Sequence, residues 1–457
     1  MHRPMQWQTR RFPKRTDSIQ HPSSSHLRTL PVRRWLLTHP HTTWRKPAPL
    51  SRSDNVASDL PDLAMPRFIP FLFSLLMLAL LPFGSARAAN NDPVVLVHGF
   101  LGFGPEQFPG TGYLYWGGYH DIASHLRVYK GPRTVVTATV GAISPNWDRA
   151  AELYAQIKGG CVDYGASHAR TPPVREQKPP GKCWAADHAR NPEGYPLALY
   201  PAWDADHPIH LIGHSQGGTT IRALVELLEH GAPDEGDGDL YAGGKTGWVR
   251  SVTTLSSPHN GTTLRDAVLD ILPQLRSPLR DWFQAGMWSW ELAPDGARSF
   301  NLWARTSPHV VYFSLGTQAT EAGAWCCNGT DRAIAPAQAS NYQYPRIDMF
   351  PYYKTYAGEW IVPSLRQHGM GGYTQSAPGR VRIDSEWFAN DGVVNTVSMR
   401  APAGHPVRDY DGTAVRGSWN YLGTYRGYDH FDILNWPNKG PSADPIYERI
   451  SDIIFGL

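Results

Sequence analysis

From residue 94 onward, short apolar runs alternate with longer segments whose apolar positions recur every third or fourth residue. Val94-Val95-Leu96-Val97 is continuously apolar and stops at His98-Gly99, as a strand buried on both faces does. Thr134 to Val140, Ile209 to Ile212, Val249 to Leu255 and Val310 to Leu315 read as further strands. Between them, Ala150, Leu153, Tyr154 and Ile157 mark one helical face, and Ile221, Leu224, Val225 and Leu228 another. Strands that alternate with helices predict an α/β fold with a mainly parallel central sheet flanked by helices. No internal repeat is visible.

The first apolar run of the chain is of a different kind. Phe68 to Phe83 follows Met65-Pro66-Arg67 and precedes Ser85-Ala86-Arg87-Ala88-Ala89. A basic start, an apolar middle shorter than the ~20 residues of a spanning helix and a small-residue exit describe a secretory signal. The expectation is a signal over 65–88 cut after Ala88, a domain over 89–457, and an N-terminal stretch 1–64 that is non-native or disordered. On that view Met65 is the true start, and the exported protein keeps no stable membrane insertion after cleavage.

Composition narrows the function. Of 457 residues, 41% are hydrophobic and 12% aromatic, which excludes a disordered or fibrous chain. The net charge of +3 is unevenly spread, because residues 1–64 hold 11 Lys/Arg against 4 Asp/Glu. Setting aside Arg67 and Arg87 as well, the remainder carries 30 basic against 36 acidic residues, so no basic footprint for nucleic acid is left. Four cysteines fit an oxidising compartment. Cys161 and Cys183 bracket a Pro-rich loop and could pair; Cys326 and Cys327 are adjacent, and a mutual bridge would be strained.

The candidate chemistry starts at Gly213-His214-Ser215-Gln216-Gly217. An apolar strand ends directly before this G-x-S-x-G and an amphipathic helix begins directly after it. A strand–turn–helix elbow of that kind lifts a serine oxygen above a sheet edge. A serine hydroxyl needs a base, and the base an orienting carboxylate, in the chain order serine, acid, histidine. Asp391 follows the β-like run Val381-Arg382-Ile383, in a predicted turn at a strand end, and His430 sits in a Gly/Tyr-rich loop near the C-terminus. Taken singly, Asp391-Gly392 is an ordinary turn and His430 is one of 19 histidines. His98-Gly99-Phe100-Leu101-Gly102 follows the first strand and would aim the N–H of Phe100, with that of Gln216, at a developing oxyanion.

With these residues in hand, the chain resembles the large secreted triacylglycerol lipases of the thermoalkaliphilic bacillus and staphylococcal type over most of 92–435. The resemblance is carried by Val95-Leu96-Val97-His98-Gly99-Phe100, Tyr115-Trp116-Gly117-Gly118, Ser144-Pro145-Asn146-Trp147-Asp148-Arg149-Ala150 and Gly160-Cys161-Val162-Asp163-Tyr164-Gly165. It continues through Ser251-Val252-Thr253-Thr254, Pro258-His259-Asn260-Gly261-Thr262-Thr263, Asn390-Asp391-Gly392 and Asp429-His430. It implies an α/β-hydrolase that cleaves lipid esters at an oil–water interface, with Ser215 as nucleophile, His430 as base, Asp391 as its orienting acid, and Phe100 and Gln216 as oxyanion donors. It also implies a structural zinc in an insertion, at Asp148, His168 and His188, with Glu291 or Asp281 as fourth ligand. A calcium site follows at Asp432 and Asp348. No organic cofactor is implied.

Between Thr263 and Glu291 an amphipathic pattern, broken by Pro273 and Pro278, falls where the family carries its lid; a core-facing helix pair would show the same stripe. The segment is shortened, so interfacial activation should be weak and soluble short-chain esters should be cleaved nearly as well as emulsified fat. Three rivals stay open: an esterase or polyester depolymerase of the same fold, a serine peptidase or amidase, and a non-catalytic surface protein. The sequence does not set the oligomeric state.

Overall fold

Along β1 (Val94–Val97) successive side chains fall into two different cores, Val95 and Val97 on one side and Val94 and Leu96 on the other. That two-sided burial makes the run uniformly apolar rather than alternating. The computed structural model describes residues 89–168, 182–236, 238–266, 290–321, 332–333, 370–436 and 442–457. Six more strands join β1: β2 (Val135–Ala138), β3 (Ile209–His214), β4 (Val249–Leu255), β5 (Val311–Gln318), β6 (Val407–Asp409) and β7 (Trp419–Arg426). Their order is β6-β7-β5-β4-β3-β1-β2, and every neighbouring pair is parallel.

Helices cover both faces. On one side α2 (Asn146–Lys158) and α3 (Gln216–His230) bury Leu153, Ile157, Ile221 and Leu224 with Trp203, Tyr312 and Trp419. On the other, α1 (Ile122–Val128) and α5 (Asp444–Phe455) bury Ile122, Leu126, Ile446, Ile450 and Ile454 against Val94, Leu96, Phe313 and Leu315. A further helix, α4 (Pro294–Trp303), adds Phe300 to the first core. The result is a three-layer α/β/α arrangement, as the alternating pattern predicts.

The register places the chemistry. Val97 pairs with Gly213, Gly213 with Thr254 and Thr254 with Ser314, so β1, β3 and β4 end within one residue of the same level while β5 runs on to Gln318. His98, Ser215 and Ser256 therefore leave the sheet at one carboxyl edge, where ligands bind in parallel sheets. Outside the sheet, Cys161 and Cys183, a pairing the sequence leaves open, form a disulfide between the short strands Gly160–Cys161 and Cys183–Trp184. One local expectation is corrected: Asp391 does not end a strand, because Ile383 makes only an isolated bridge to Gln375 and a 3-10 turn at Ser385–Trp387 follows. Cys326, Cys327, Asp281, Asp348, the 65–88 segment and most of the lid segment lie outside the described residues.

Candidate active site

Ser215 stands between the last residue of β3 and the first of α3, with φ 56° and ψ −128°. A non-glycine residue is strained there, and such strain collects at functional turns. The surrounding glycines exist because the turn has no room. A Cβ at Gly217 would lie 2.1 Å from the Val97 carbonyl oxygen, one at Gly213 2.5 Å from Gly217, and one at Gly99 2.6 Å from the Cβ of Ser215 itself. The loop after β1 is thus pressed directly onto the serine.

Asp391 and His430 meet beside this elbow. His430 donates from Nδ1 to Asp391 Oδ2 at 2.7 Å, and both side chains are buried. The other oxygen of Asp391 accepts from the N–H groups of Val393 and Val394 at 3.0 and 2.8 Å, and Thr317 Oγ1 donates to Oδ2 at 2.7 Å. Ser256 supports Thr317 in turn, at 2.8 Å. Three donors besides His430 therefore hold the Asp391 carboxylate, and the carboxylate in turn holds the imidazole. The N–H of His430 also returns to the Asp391 carbonyl at 3.0 Å. Asp429 and Asp432 fold the loop locally: Asp429 Oδ1 accepts from the N–H groups of Phe431 and Asp432, and Asp432 Oδ2 from that of Asp429, all at 2.8 Å.

The imidazole of His430 lies 4.6 Å, centroid to centroid, from that of His214, the residue before Ser215. Among the described hydrogen bonds none joins Ser215 Oγ to His430; such bonds are often long without substrate. His214 is the hub of the edge. Gly99 N–H donates to Tyr115 Oη at 2.8 Å, Tyr115 O–H donates to His214 Nδ1 at 2.6 Å, and His214 Nε2–H donates to the His430 carbonyl at 3.0 Å. This relay needs a neutral imidazole, and burial, followed by the proximity of His430, holds the His214 pKa well below its usual value. Neither Tyr115 nor His214 is singled out as functional by sequence reasoning, although both lie inside motifs it quotes, Tyr115-Trp116-Gly117-Gly118 and G-x-S-x-G.

The loop after β1 is fixed from below by Arg149 of α2. This buried guanidinium donates to the carbonyl of His98, to that of Gly141 at 2.6 Å and to Thr220 Oγ1 at 2.8 Å. Burial lowers its pKa to about 10, with Glu152 opposing the shift, so it stays a cation. Leu101 in the same loop has φ 54°, a second strained non-glycine position. Gln216 Nε2 donates to the Ser144 carbonyl at 3.0 Å, pinning the side chain. Among the described residues the backbone N–H groups of Phe100 and Gln216 have no hydrogen-bond partner.

The proposed metal ligands are brought together only in part. His168 Nε2 meets Asp148 Oδ1 at 2.9 Å, and the His168 ring stacks on Trp147 at 4.9 Å. Glu291 is close behind. Its carboxylate accepts from the Asn146 N–H at 2.9 Å, and burial raises its pKa, with the charge of Asp148 adding to the rise. His188 is exposed, and among the described residues it forms no group with Asp148 and His168 within 4.8 Å. Among the described residues the one group of three potential metal ligands within that distance is His120, His125 and Asp444.

Comparison with known proteins agrees with this architecture. The family model described as "Lipase-like, C-terminal domain" matches residues 90–272. A Staphylococcus epidermidis protein named "Lipase" is 30% identical over 370 residues, covering 76% of this chain and 50% of that protein. This chain thus spans about half the length of that relative. Among solved structures, EstA from Clostridium botulinum is 30% identical with a TM-score of 0.63, over 82% of this chain and 89% of that one. Lipase 1 from Pelosinus fermentans is 31% identical with a TM-score of 0.61, over 80% and 99%.

Proposed function

This chain belongs to the bacterial lipase family of the staphylococcal type, and from that premise we propose that it is an exported serine carboxylester hydrolase acting on lipid esters. The observation that carries the reading is the buried Asp391–His430 pair packed against His214, at the strained turn that presents Ser215. Ser215 Oγ attacks the ester carbonyl carbon while His430 Nε2 takes its proton. Asp391 keeps the other nitrogen, Nδ1, protonated and the ring oriented. The N–H groups of Phe100 and Gln216 donate to the oxyanion. His430 then returns the proton to the departing alcohol, and water, deprotonated by the same imidazole, releases the fatty acid from Ser215.

A fluorophosphonate probe tests this directly. It should label the protein at Ser215 and leave Ser215→Ala unlabelled. Labelling that persists in Ser215→Ala would refute the assignment. A panel of soluble and emulsified esters with acyl chains of several lengths separates lipase from esterase; comparable rates on both fit the shortened lid segment.

For metals, the direct Asp148–His168 contact supports a structural zinc that these two residues would help hold, with Glu291, close enough for the charges of Asp148 and His168 to act on it, as a candidate further ligand. Bound there it would supply positive charge that fixes the start of α2, and no catalytic step runs through it. Calcium is assigned to the loop of Asp432, which carries His430. Exhaustive chelation should lower activity before the fold melts; unchanged activity and melting temperature would remove both metals. Export through the signal over 65–88 completes the reading and is checked by the N-terminus of the secreted protein, expected at Ala89.

A further inference from the structure

On the face away from α2 and α3, helices α1 and α5 meet along a polar seam. His120 Nε2 faces Asp444 Oδ1 at 2.9 Å, His125 Nε2 faces Glu448 Oε1 at 2.9 Å, and Lys130 Nζ faces Asp452 at 2.7 Å. The last pair is an ordinary surface ion pair, worth little. At the other end two imidazoles stand against two carboxylates, and one ligand atom from each of His120, His125 and Asp444 lies within 4.8 Å of the other two. The side chains of these three are between a fifth and a half exposed, at 41% for His120, 29% for His125 and 23% for Asp444, so a hydrated ion can reach them.

We propose that His120, His125 and Asp444 form a binding site for a divalent transition-metal ion, with Glu448 as an adjoining carboxylate. Zinc and nickel are the class that two imidazoles and a carboxylate select. Ligand atoms on one zinc sit roughly 3.3 Å apart when each bond is about 2.0–2.1 Å. The His120–Asp444 contact, at 2.9 Å, is already inside that spacing, and a contraction of about 1.5 Å at most brings in His125. Glu448 accepts from the His125 ring, the kind of partner that orients a ligating imidazole. The approach to α1 is built to present His120: Gly117, at φ 117°, turns the chain so tightly that a Cβ would lie 1.5 Å from the His120 carbonyl oxygen. This cluster shares no residue with Asp148, His168 and Glu291.

The consequence is a staple. Tyr447, between Asp444 and Glu448 on α5, donates to the Ile433 carbonyl at 2.9 Å, three residues beyond His430. Tying α5 to α1 therefore braces the underside of the His430 loop, and the ion should act on stability rather than on turnover.

The test uses the full chain stripped with a chelator and titrated with zinc chloride, with calorimetric stoichiometry and melting temperature as readouts. Three proteins are compared: wild type, His120→Asn/His125→Gln, and Asp148→Asn/His168→Asn. The first double variant keeps polar, hydrogen-bonding side chains at a surface seam, and metal-free melting shows that it folds. It should bind one zinc fewer than wild type and lose most of the zinc-induced rise in melting temperature. The second double variant should lose the zinc held at Asp148 and His168 but keep the seam zinc and most of the rise. Asp444→Asn alone should weaken binding at least tenfold. A His120→Asn/His125→Gln protein that binds as much zinc as wild type, with the same thermal response, overturns the proposal.

Discussion

Tyr115 Oη accepts from one functional turn and donates to another, and its removal should separate positioning from chemistry. Tyr115→Phe keeps the ring in the core but leaves Gly99 N–H and His214 Nδ1 without their partner, both buried. An unsatisfied buried polar group costs about 1–3 kcal/mol. Melting temperature should fall, and kcat should fall while KM changes little, since no substrate contact is lost; an unchanged kcat would show that the relay does not hold the loop. Asp391→Asn should be far more severe. It preserves shape but not charge, and a loss of about 10⁴ in kcat with the fold intact is expected. Steady-state kinetics with circular dichroism would check it. Gly99→Ala should fail altogether, because its methyl group would sit 2.6 Å from the Cβ of Ser215.

At the scale of elements, the Cys161–Cys183 bridge joins two residues 22 apart in sequence and closes a polar, Pro-rich loop beside α2. Removing that constraint on the unfolded chain should cost about 3 kcal/mol. Cys161→Ala/Cys183→Ala should therefore unfold at lower denaturant while its kcat holds, as denaturation curves and an ester assay would show. What was legible in sequence follows from the same elements. β1 is an unbroken apolar run buried throughout, and β2 to β5, mostly buried, are rich enough in apolar and β-branched residues to be read despite His210, Arg250 and Ser314. β7, Trp419–Arg426, carries Asn, Gly, Thr and Arg among its apolar residues, and the three residues of β6 are partly or fully exposed, so neither has a run to read. The turn at Ser215 is legible because its glycines are demanded locally. The seat of Asp391 is not: it depends on Thr317 and Ser256, contacts made 74 and 135 positions away in the chain. The Tyr115–His214 bond, spanning 99 positions, escapes periodicity for the same reason.

At the scale of the whole molecule, the fold keeps several histidines neutral. Burial, followed by the charge of Arg149, lowers the pKa of His98 to about 3; burial, followed by Arg250, lowers that of His210 to about 3. His214 and His259 are pushed well down by burial first. The unfolded chain binds these protons near pH 6.5, so it takes up more protons than the fold everywhere between about 6.5 and about 3. Stability from these groups is complete above pH 6.5 and is lost as pH falls through that window, on the order of 1.4 kcal/mol per pH unit for each histidine. Unfolding by urea at pH 7, 6 and 5 should show a midpoint that drops steadily, and a flat profile would contradict the assignment.

All seven strands run the same way, so the edge with Ser215 has an opposite edge, and both ends of the described body gather there. Asn90, four residues before β1, donates from its backbone to the Phe455 carbonyl at 2.9 Å and from its side chain to that of Ile454 at 2.8 Å. A bead, a carrier protein or a display anchor attached through residue 457 would hold the molecule by its base, with the Ser215 edge facing outward. A short peptide could even splice 457 back to 89, letting the chain be opened at a surface loop elsewhere without disturbing the rim that carries Ser215.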